Sequence, residues 1–381
     1  MNFEFATATR IVFGAGKLAE LGALGCSLGR RALVVSGSRP AAAERIAGLL
    51  REAEVIAVRF VVAAEPTVTL VEQGTRLARE AECDFVIAIG GGSVIDAGKA
   101  IAAMLANDGE LLDYVEVIGR GRMLSKPSRP FIAIPTTAGT GAEVTRNSVL
   151  AAPDHRVKVS LRSLLMLPAL ALVDPELTYD LPPALTASTG LDALTQLIEP
   201  FTSNRANPLT DTLCREGMLR VARSLRLAYH NGENAVAREG MAVAGLFGGL
   251  ALANAGLGAA HGFAAPIGGM FSAPHGAVCA ALLPHVMAMN IRALERKDCS
   301  CERYDEVARI LTGSAVAVAA DGVRWVSELT QELNIPKLNV YGIAPTCVPE
   351  LVAKATNASS MKANPVVLNP GELSEVLLAA L

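Results

Sequence analysis

Phe85-Val-Ile-Ala-Ile-Gly-Gly-Gly-Ser-Val-Ile-Asp-Ala-Gly-Lys99 joins an apolar run, a glycine turn and the start of an amphipathic segment. The five apolar residues are typical of a strand buried on both faces, and the spacing after the glycines indicates a helix packed on a sheet. Backbone N–H groups meet at such a helix N-terminus, where the helix dipole attracts a phosphate. The stretch therefore predicts an anion site, with a ligand-free tight turn as the alternative. Neither common nucleotide-binding glycine pattern fits it.

Composition predicts an ordinary globular chain. The 381 residues suggest two domains or one large one, and 51% of them are hydrophobic while 19% are charged. A net charge of −3 provides no basic field for nucleic acid and no polybasic membrane patch. With aromatic residues at only 4%, base-stacking platforms are not expected either. We therefore expect neither a nucleic-acid nor a membrane partner.

The seven cysteines are scattered without framework spacing, which favours reduced thiols and a cytoplasmic location. The N-terminal residues show no signal-peptide pattern. The stretch 241–290 holds no Lys, Arg, Asp or Glu, but glycines, prolines and three histidines interrupt it. A membrane-spanning helix needs roughly 20 mostly apolar residues, so this stretch instead predicts helices and loops packed around a site.

Short apolar runs alternate with amphipathic segments in the first half of the chain, a pattern that predicts a parallel α/β sheet. Strands are predicted at 31–37, 54–62, 84–89, 131–135 and 169–174, and helices at 41–52 and 68–80. Beyond Pro183 the periodicity is helical, at 185–198, 208–227, 235–254, 304–311 and 319–333. The sequence therefore predicts an α/β domain followed by an all-helical domain, with the boundary near Tyr179.

A second glycine pattern, Gly14-Ala-Gly16 after an apolar run, is interpreted as a structural turn. In a dinucleotide-binding unit an acidic residue ends the next strand and holds the adenosine ribose. Here the next predicted strand ends in Ser36-Gly37-Ser38-Arg39 and provides no acid.

Asp192 and Gln196 are four residues apart among apolar neighbours, a spacing that places both on one helix face. His261 and His275 stand beside glycines in the charge-free stretch. One carboxylate and two imidazoles suit a divalent cation such as zinc or ferrous iron. The alternative is that each histidine is a hydrogen-bonded core residue, which is the interpretation kept for His155, His230 and His285.

The sequence resembles the iron-containing (group III) alcohol dehydrogenases of the dehydroquinate-synthase-like superfamily. The resemblance extends over nearly the whole chain and is carried by residues 90–99, 135–148, 174–175, 181–195, 261–262, 274–276 and 283–285. It implies an α/β dinucleotide-binding domain at 1–179, an all-helical metal and substrate domain at 180–381, and an active-site cleft between them.

The resemblance also implies roles for individual residues. Three groups would bind the cofactor: Gly91, Gly92 and Ser93 at the pyrophosphate, Thr136, Thr137 and Thr140 at phosphate or nicotinamide ribose, and Lys158 near that ribose. The catalytic residues would be Asp192, His261 and His275, and the metal would be held by these three residues together with Gln196.

This chain departs from the family pattern at two positions. Gln196 stands where the family has its remaining histidine ligand, and as a ligand it would offer a neutral oxygen that is a weaker donor than imidazole. Ala265 stands where many members have a histidine that relays the alcohol proton, which suggests another route through water or the nicotinamide ribose.

The cofactor preference is predicted from the end of the first nucleotide-domain strand. NAD-preferring members often have an aspartate there, whereas this chain has Gly37 followed by Ser38 and Arg39. Hydroxyl, backbone N–H and guanidinium groups favour a phosphate, so NADP(H) is expected over NAD(H).

The expected function is reversible NAD(P)-dependent oxidation of an alcohol, or reduction of an aldehyde or ketone, assisted by Fe²⁺ or Zn²⁺. We expect a homodimer or higher homo-oligomer acting on a small molecule. One alternative is a maleylacetate reductase-like enzyme, disfavoured because 241–290 offers no Arg or Lys for an acidic substrate, although Arg146 or Lys158 could serve. The other alternative is a catalytically weak or inactive NAD(P)-binding protein.

Overall fold

The computed structural model describes residues 2–381. The chain divides into two compact units. The α/β unit comprises Ala6–Thr137 and Gly141–Thr178. The helical unit comprises Tyr179–Leu381, together with Ala138–Thr140 and the N-terminal residues up to Phe5. Two short pieces of the first half therefore belong with the helices, a grouping that no sequence pattern indicates.

The α/β unit alternates strands with helices, as predicted. Its strands are β1 (Ile11–Phe13), β2 (Arg31–Ser36), β3 (Ile56–Val61), β4 (Phe85–Gly90), β5 (Phe131–Pro135), β6 (Asn147–Ala152), β7 (Val157–Arg162) and β8 (Leu170–Val173). Its helices are α1 (Leu21–Cys26), α2 (Pro40–Glu52), α3 (Val68–Glu80) and α4 (Gly92–Ala106).

Six strands of the described residues form one parallel sheet in the order β1-β8-β5-β4-β2-β3. The central strands β4, β5 and β8 are buried along their whole length, which is why they are continuous apolar runs in the sequence. Gly90 pairs with Pro135, so β4 and β5 end at the same level of the sheet. The predicted parallel α/β class is confirmed.

The antiparallel hairpin of β6 and β7 is absent from the prediction. Its second strand alternates regularly, with Val159 and Leu161 buried, and this pattern is a signal that could have identified it. The first strand, Asn147–Ala152, contains alanines and polar residues that do not favour a strand, so that sequence reasoning passed over the pair.

The helical unit is built around one large apolar core. Its helices are α5 (Pro183–Thr202), α6 (Pro208–His230), α7 (Ala235–Ala255), α8 (Ala259–Met270), α9 (His275–Arg296), α10 (Glu302–Thr312), α11 (Ala319–Glu332), α12 (Val348–Thr356) and α13 (Pro370–Ala379). The prediction of an all-helical region is confirmed.

The charge-free stretch forms most of α7, all of α8 and most of α9. By length and composition α7 and α9 could each cross a membrane, yet most of each helix is buried inside the protein. Burial of this kind is expected of core helices, and it explains why the stretch contains no charged side chain.

Candidate metal centre and nucleotide loop

Helix α5 places Asp192 and Gln196 one turn apart on one face, as predicted. Only 1% of the Asp192 surface and 3% of the Gln196 surface are exposed. The Gln196 side-chain amide donates a hydrogen bond from Nε2 to Asp192 Oδ2 over 3.1 Å. The carboxylate is therefore held through one oxygen, and its other oxygen, Oδ1, remains available.

Helices α8 and α9 bring the two predicted histidines to that oxygen. His261 is the third residue of α8 and His275 is the first residue of α9. The Nε2 atom of each imidazole lies 3.6 Å from Asp192 Oδ1, and the ring centroids are 5.4 Å apart. Gly276 permits this approach, because a Cβ there would lie 2.5 Å from the Ser188 carbonyl oxygen of α5.

Glu199, two turns beyond Asp192 on α5, supports His261. Its carboxylate accepts hydrogen bonds from the backbone N–H groups of Gly258 and Ala260, and its Oε2 lies 2.7 Å from His261 Nδ1. The imidazole therefore donates its Nδ1 proton to Glu199, and Nε2 is the ring nitrogen that faces Asp192. Sequence reasoning missed Glu199, although a carboxylate in an apolar helix was a signal.

Cys279 is the second residue that sequence reasoning missed. It lies one turn after His275 on α9 and is fully buried, and its Sγ is 3.7 Å from His275 Nε2. One donor atom each from Asp192, His261, His275 and Cys279 lies within 4.8 Å of all the others. The spacing of four from His275 could have identified it.

The cluster contains buried polar atoms that the protein does not satisfy. Among the described residues, Asp192 Oδ1, His261 Nε2 and Gln196 Oε1 have no hydrogen-bond partner. Burying an unsatisfied polar atom costs about 1–3 kcal/mol, so two that face each other, Asp192 Oδ1 and His261 Nε2, are uncommon without a ligand. A carboxylate oxygen, two imidazole nitrogens and a sulfur form a donor set typical of zinc and related divalent ions. The residues present therefore fit a divalent metal.

Burial and the neighbouring groups of the cluster shift the pKa values of its residues. Burial would raise the pKa of Asp192, but His275 and His261 hold that pKa below its usual value. Burial would lower the pKa of His261, but Cys279 and Glu199 raise it well above the usual value. For Cys279, burial raises the pKa to about 12. Metal binding would therefore release protons from this cluster.

The predicted phosphate loop lies at the start of α4. Gly91 is the residue before the helix, and Gly92 and Ser93 are its first two residues, whose N–H groups have no carbonyl four residues earlier within the helix. Thr136 and Thr137 directly follow β5, and the Thr136 N–H donates to the Gly90 carbonyl over 2.9 Å. The ends of β4 and β5 thus bring these residues together.

Gly37 and Ser38 follow β2, the other neighbour of β4 in the sheet. They lie at the same edge as the phosphate loop, because parallel strands share one carboxyl end. Arg39 precedes α2 and is exposed. Lys158 lies apart from them on β7, where its Nζ is 2.5 Å from Glu65 Oε1, and Thr140 belongs to the helical unit.

Comparison with known proteins gives one consistent result. The family profile "Iron-containing alcohol dehydrogenase" matches residues 8–175, and the profile "Fe-containing alcohol dehydrogenase family, C-terminal" matches residues 186–381. The 1,3-propanediol dehydrogenase of Klebsiella pneumoniae is 33% identical over 99% of this chain and 98% of its own length. The NAD-dependent methanol dehydrogenase of Bacillus methanolicus is 32% identical over the full length of both chains. A crystal structure of a 1,3-propanediol oxidoreductase superposes with a TM-score of 0.94 at 32% identity, and the match covers all of both chains.

Proposed function

This chain belongs to the iron-containing alcohol dehydrogenase family and is therefore an oxidoreductase that uses a nicotinamide cofactor and a divalent metal; we propose how its own residues divide that work. The reaction is the reversible transfer of a hydride between an alcohol carbon and the cofactor. One observation carries the assignment of the metal centre. The unpartnered atoms Asp192 Oδ1 and His261 Nε2 converge with His275, which is the one partly exposed residue of the three.

In this proposal Asp192, His261 and His275 hold the metal and are the catalytic residues. When bound, a divalent cation polarises the carbonyl oxygen and stabilises the negative charge that develops on it during hydride transfer. Asp192 contributes Oδ1, since its Oδ2 accepts the hydrogen bond from Gln196. Glu199 is a positioning residue, because its bond to Nδ1 fixes the tautomer in which His261 Nε2 carries the lone pair.

The cofactor pyrophosphate is proposed to bind at the first amides of α4, from Gly91, Gly92 and Ser93. A helix N-terminus offers these N–H groups together with the positive end of the helix dipole. Thr136, Thr137 and Thr140 are proposed to contact phosphate or ribose, and Lys158, fixed by its ion pair with Glu65, the nicotinamide ribose. As Ala265 has no imidazole, the alcohol proton is proposed to leave through water or the ribose hydroxyls.

We further propose that the enzyme prefers NADP(H). The exposed residues Ser38 and Arg39 after β2 offer a hydroxyl and a guanidinium to a 2′-phosphate, and Gly37 replaces the aspartate that would repel it. The name of the Bacillus methanolicus relative states NAD dependence, so the family uses NAD as well and only kinetics on this chain can decide.

The Arg39→Ala variant tests the preference. A charge-assisted hydrogen bond is worth about 1.5–3 kcal/mol, so kcat/KM with NADP⁺ should fall about 10- to 100-fold. The value with NAD⁺ should stay within about 2-fold, because no phosphate meets Arg39 in that cofactor. Wild-type enzyme that prefers NAD⁺ tenfold or more would contradict the proposal, as would equal losses with both cofactors in the variant.

The catalytic function itself is tested on wild-type protein purified without chelators. We expect about one equivalent of zinc or iron by mass spectrometry, and NAD(P)H oxidation with short aldehydes. Nucleotide binding without turnover of any aldehyde, even with added metal, would favour a binding protein instead. Turnover restricted to carboxylate-bearing carbonyl substrates would favour the maleylacetate reductase-like alternative.

A homo-oligomer in the cytoplasm is our proposal for the setting of the enzyme. Within residues 2–381 all seven cysteines are free thiols, as expected in a reducing compartment. Light scattering on the purified protein would measure the oligomeric state, and a monomer at micromolar concentration would contradict that part of the proposal.

A further inference from the structure

We infer that Cys279 supplies the fourth protein ligand of the metal, that Gln196 positions Asp192 instead of binding the metal, and that the site is thereby adapted to zinc. The inference rests on the proposed function, because it concerns the same metal centre. It goes beyond that function by moving a ligand from helix α5 to helix α9 and by assigning the preferred ion.

The first argument is the spacing of the donor atoms. A tetrahedral zinc site with bonds of about 2.0–2.3 Å separates its ligand atoms by about 3.3–3.6 Å. Asp192 Oδ1 lies 3.6 Å from the Nε2 atoms of both histidines, and Cys279 Sγ lies 3.7 Å from His275 Nε2. Neighbouring ligands of an octahedral ion with bonds of about 2.1 Å would be about 3.0 Å apart. Three of the six separations between donor atoms thus match a tetrahedral site, and all four donor atoms lie within 4.8 Å of one another.

The second argument is the orientation of Gln196. Its Nε2 donates to Asp192 Oδ2, so the amide group next to the carboxylate is the nitrogen, which has no lone pair for a metal. Turning the amide over would place its oxygen against the carboxylate and lose this hydrogen bond. The amide oxygen lies on the side of helix α7, since a Cβ at Gly248 would be 3.4 Å from it. Gln196 thus fixes Asp192 so that Oδ1 faces the histidines.

The third argument is chemical. A thiolate is a soft donor that selects zinc over ferrous iron more strongly than an amide oxygen does. A metal ion deprotonates a coordinating thiol outright, so the raised pKa of the Cys279 thiol does not prevent binding. Three of the four donor residues are buried, whereas the side chain of His275 is 37% exposed. His275 therefore lies at the open side of the cluster, where a substrate oxygen would add to the four protein donors as a fifth ligand.

The test uses full-length protein loaded with Co²⁺, which replaces zinc and reports bound sulfur. Wild-type protein should show near-ultraviolet thiolate-to-cobalt charge-transfer absorption, and Cys279→Ser should abolish it. Removing a supporting contact of a metal ligand costs 10- to 100-fold in affinity, so loss of a ligand should raise the zinc Kd by at least about 100-fold. The ratio of zinc to ferrous affinity, measured anaerobically, should also fall in this variant.

Two further variants distinguish a residue that binds the metal from one that has only a structural role. Cys214 on α6 is another fully buried cysteine of the helical unit outside the cluster, so Cys214→Ser should keep both the absorption band and the zinc Kd. Gln196→Ala should keep the band while raising the zinc Kd about 10-fold, because Asp192 loses its orienting hydrogen bond.

The inference is overturned if cobalt-loaded wild type lacks the band, if Cys279→Ser keeps the band or its zinc affinity, or if no divalent ion binds. These outcomes are separate from failure of the proposed function. Alcohol turnover by a protein without the sulfur band would overturn only the assignment of Cys279. A sulfur-bound metal without turnover of any alcohol or aldehyde would overturn only the catalytic assignment.

Discussion

The proposed nucleotide loop of the α/β unit and the proposed metal cluster of the helical unit are built from different parts of the chain. The loop uses backbone N–H groups of consecutive residues, Gly91 to Ser93, at the start of one helix. The cluster uses side chains of helix α5 and of the consecutive helices α8 and α9, which follow much later in the sequence and meet α5 only in the folded protein. A backbone site survives most substitutions that leave the turn intact, whereas a side-chain site depends on residue identity.

This difference explains why the family pattern is kept in one region and altered in the other. In the proposed loop the contacts of residues 91–93 with phosphate come from backbone N–H groups, so an added Cβ is the main change that would disturb them. In the cluster one turn of α5 carries a glutamine in place of a histidine, while one turn of α9 carries a cysteine next to His275. In the inferred site the fourth donor therefore comes from α9 instead of α5, because its atom reaches the same point.

The largest effect should come from Asp192→Asn, which keeps the shape of the side chain and removes its charge. A metal contributes several kcal/mol to stabilising the developing alkoxide, and each 1.36 kcal/mol corresponds to a tenfold change in rate. We expect kcat/KM to fall by about 10³-fold or more, with loss of bound metal by mass spectrometry.

The matched control is Asp211→Asn, which neutralises another buried carboxylate of the same unit, one that pairs with Arg303. That variant should lose thermal stability while keeping its metal content. If Asp192→Asn retained one equivalent of metal and activity within about 10-fold of wild type, the claim that the metal site depends on the identity of its side chains would be wrong.

The second effect concerns the support of the cluster. Glu199→Gln replaces an oxygen that accepts a hydrogen bond with an NH₂ group, which must face one of the N–H donors of Gly258, Ala260 or His261. Supporting contacts of this kind are worth 10- to 100-fold in metal affinity, so we expect a rise of that size in the zinc Kd by competition titration.

Glu143→Gln is the control for Glu199→Gln, because Glu143 is a buried carboxylate of the α/β unit. Burial raises its pKa to about 7, so a neutral amide resembles a form it already adopts near neutral pH. The zinc Kd of the Glu143→Gln variant should equal that of the wild-type protein. If Glu199→Gln lowered the melting temperature but left the zinc Kd unchanged, the role of Glu199 would be limited to capping helix α8.

The difference between a backbone site and a side-chain site also determines how much of the protein could be predicted from the sequence alone. The strand, turn and helix at 85–99 are encoded locally, so both the fold class and the loop could be predicted from that stretch. Asp192, His261 and His275 were identifiable because a carboxylate and imidazoles are unexpected among apolar residues. Cys279 was missed in spite of its spacing of four from His275, because a lone buried cysteine usually acts as a small apolar residue.

Glu199 and the hairpin show the remaining limits. The role of Glu199 depends on contacts with a helix whose start was not predicted, so its sequence neighbours contain no information about its partners. The short strands of the hairpin are stabilised by cross-strand pairing, which sequence periodicity reflects only weakly.

The smallest effect should come from Gly91→Ala, which tests the backbone half of the comparison. Gly91 has φ −73° and ψ −177°, values open to alanine, and a Cβ there would meet only Thr137 at the ordinary distance of 3.5 Å. The fold should therefore tolerate the change, with a free energy of unfolding within about 0.5 kcal/mol of wild type. The new methyl group would instead hinder the cofactor phosphate, so the cofactor KM should rise about 10-fold.

Gly90→Ala, one residue earlier, should reverse this pattern. Its Cβ would lie 2.6 Å from Val94 Cγ2, so β4 or α4 must shift, and overpacking of this kind costs about 1–3 kcal/mol of stability. Chemical denaturation and cofactor titration on both variants therefore separate two reasons for a glycine, protein packing at Gly90 and ligand approach at Gly91. If Gly91→Ala bound the cofactor as tightly as wild type does, the phosphate would not lie at Gly91. The proposal of a backbone phosphate site would then be wrong.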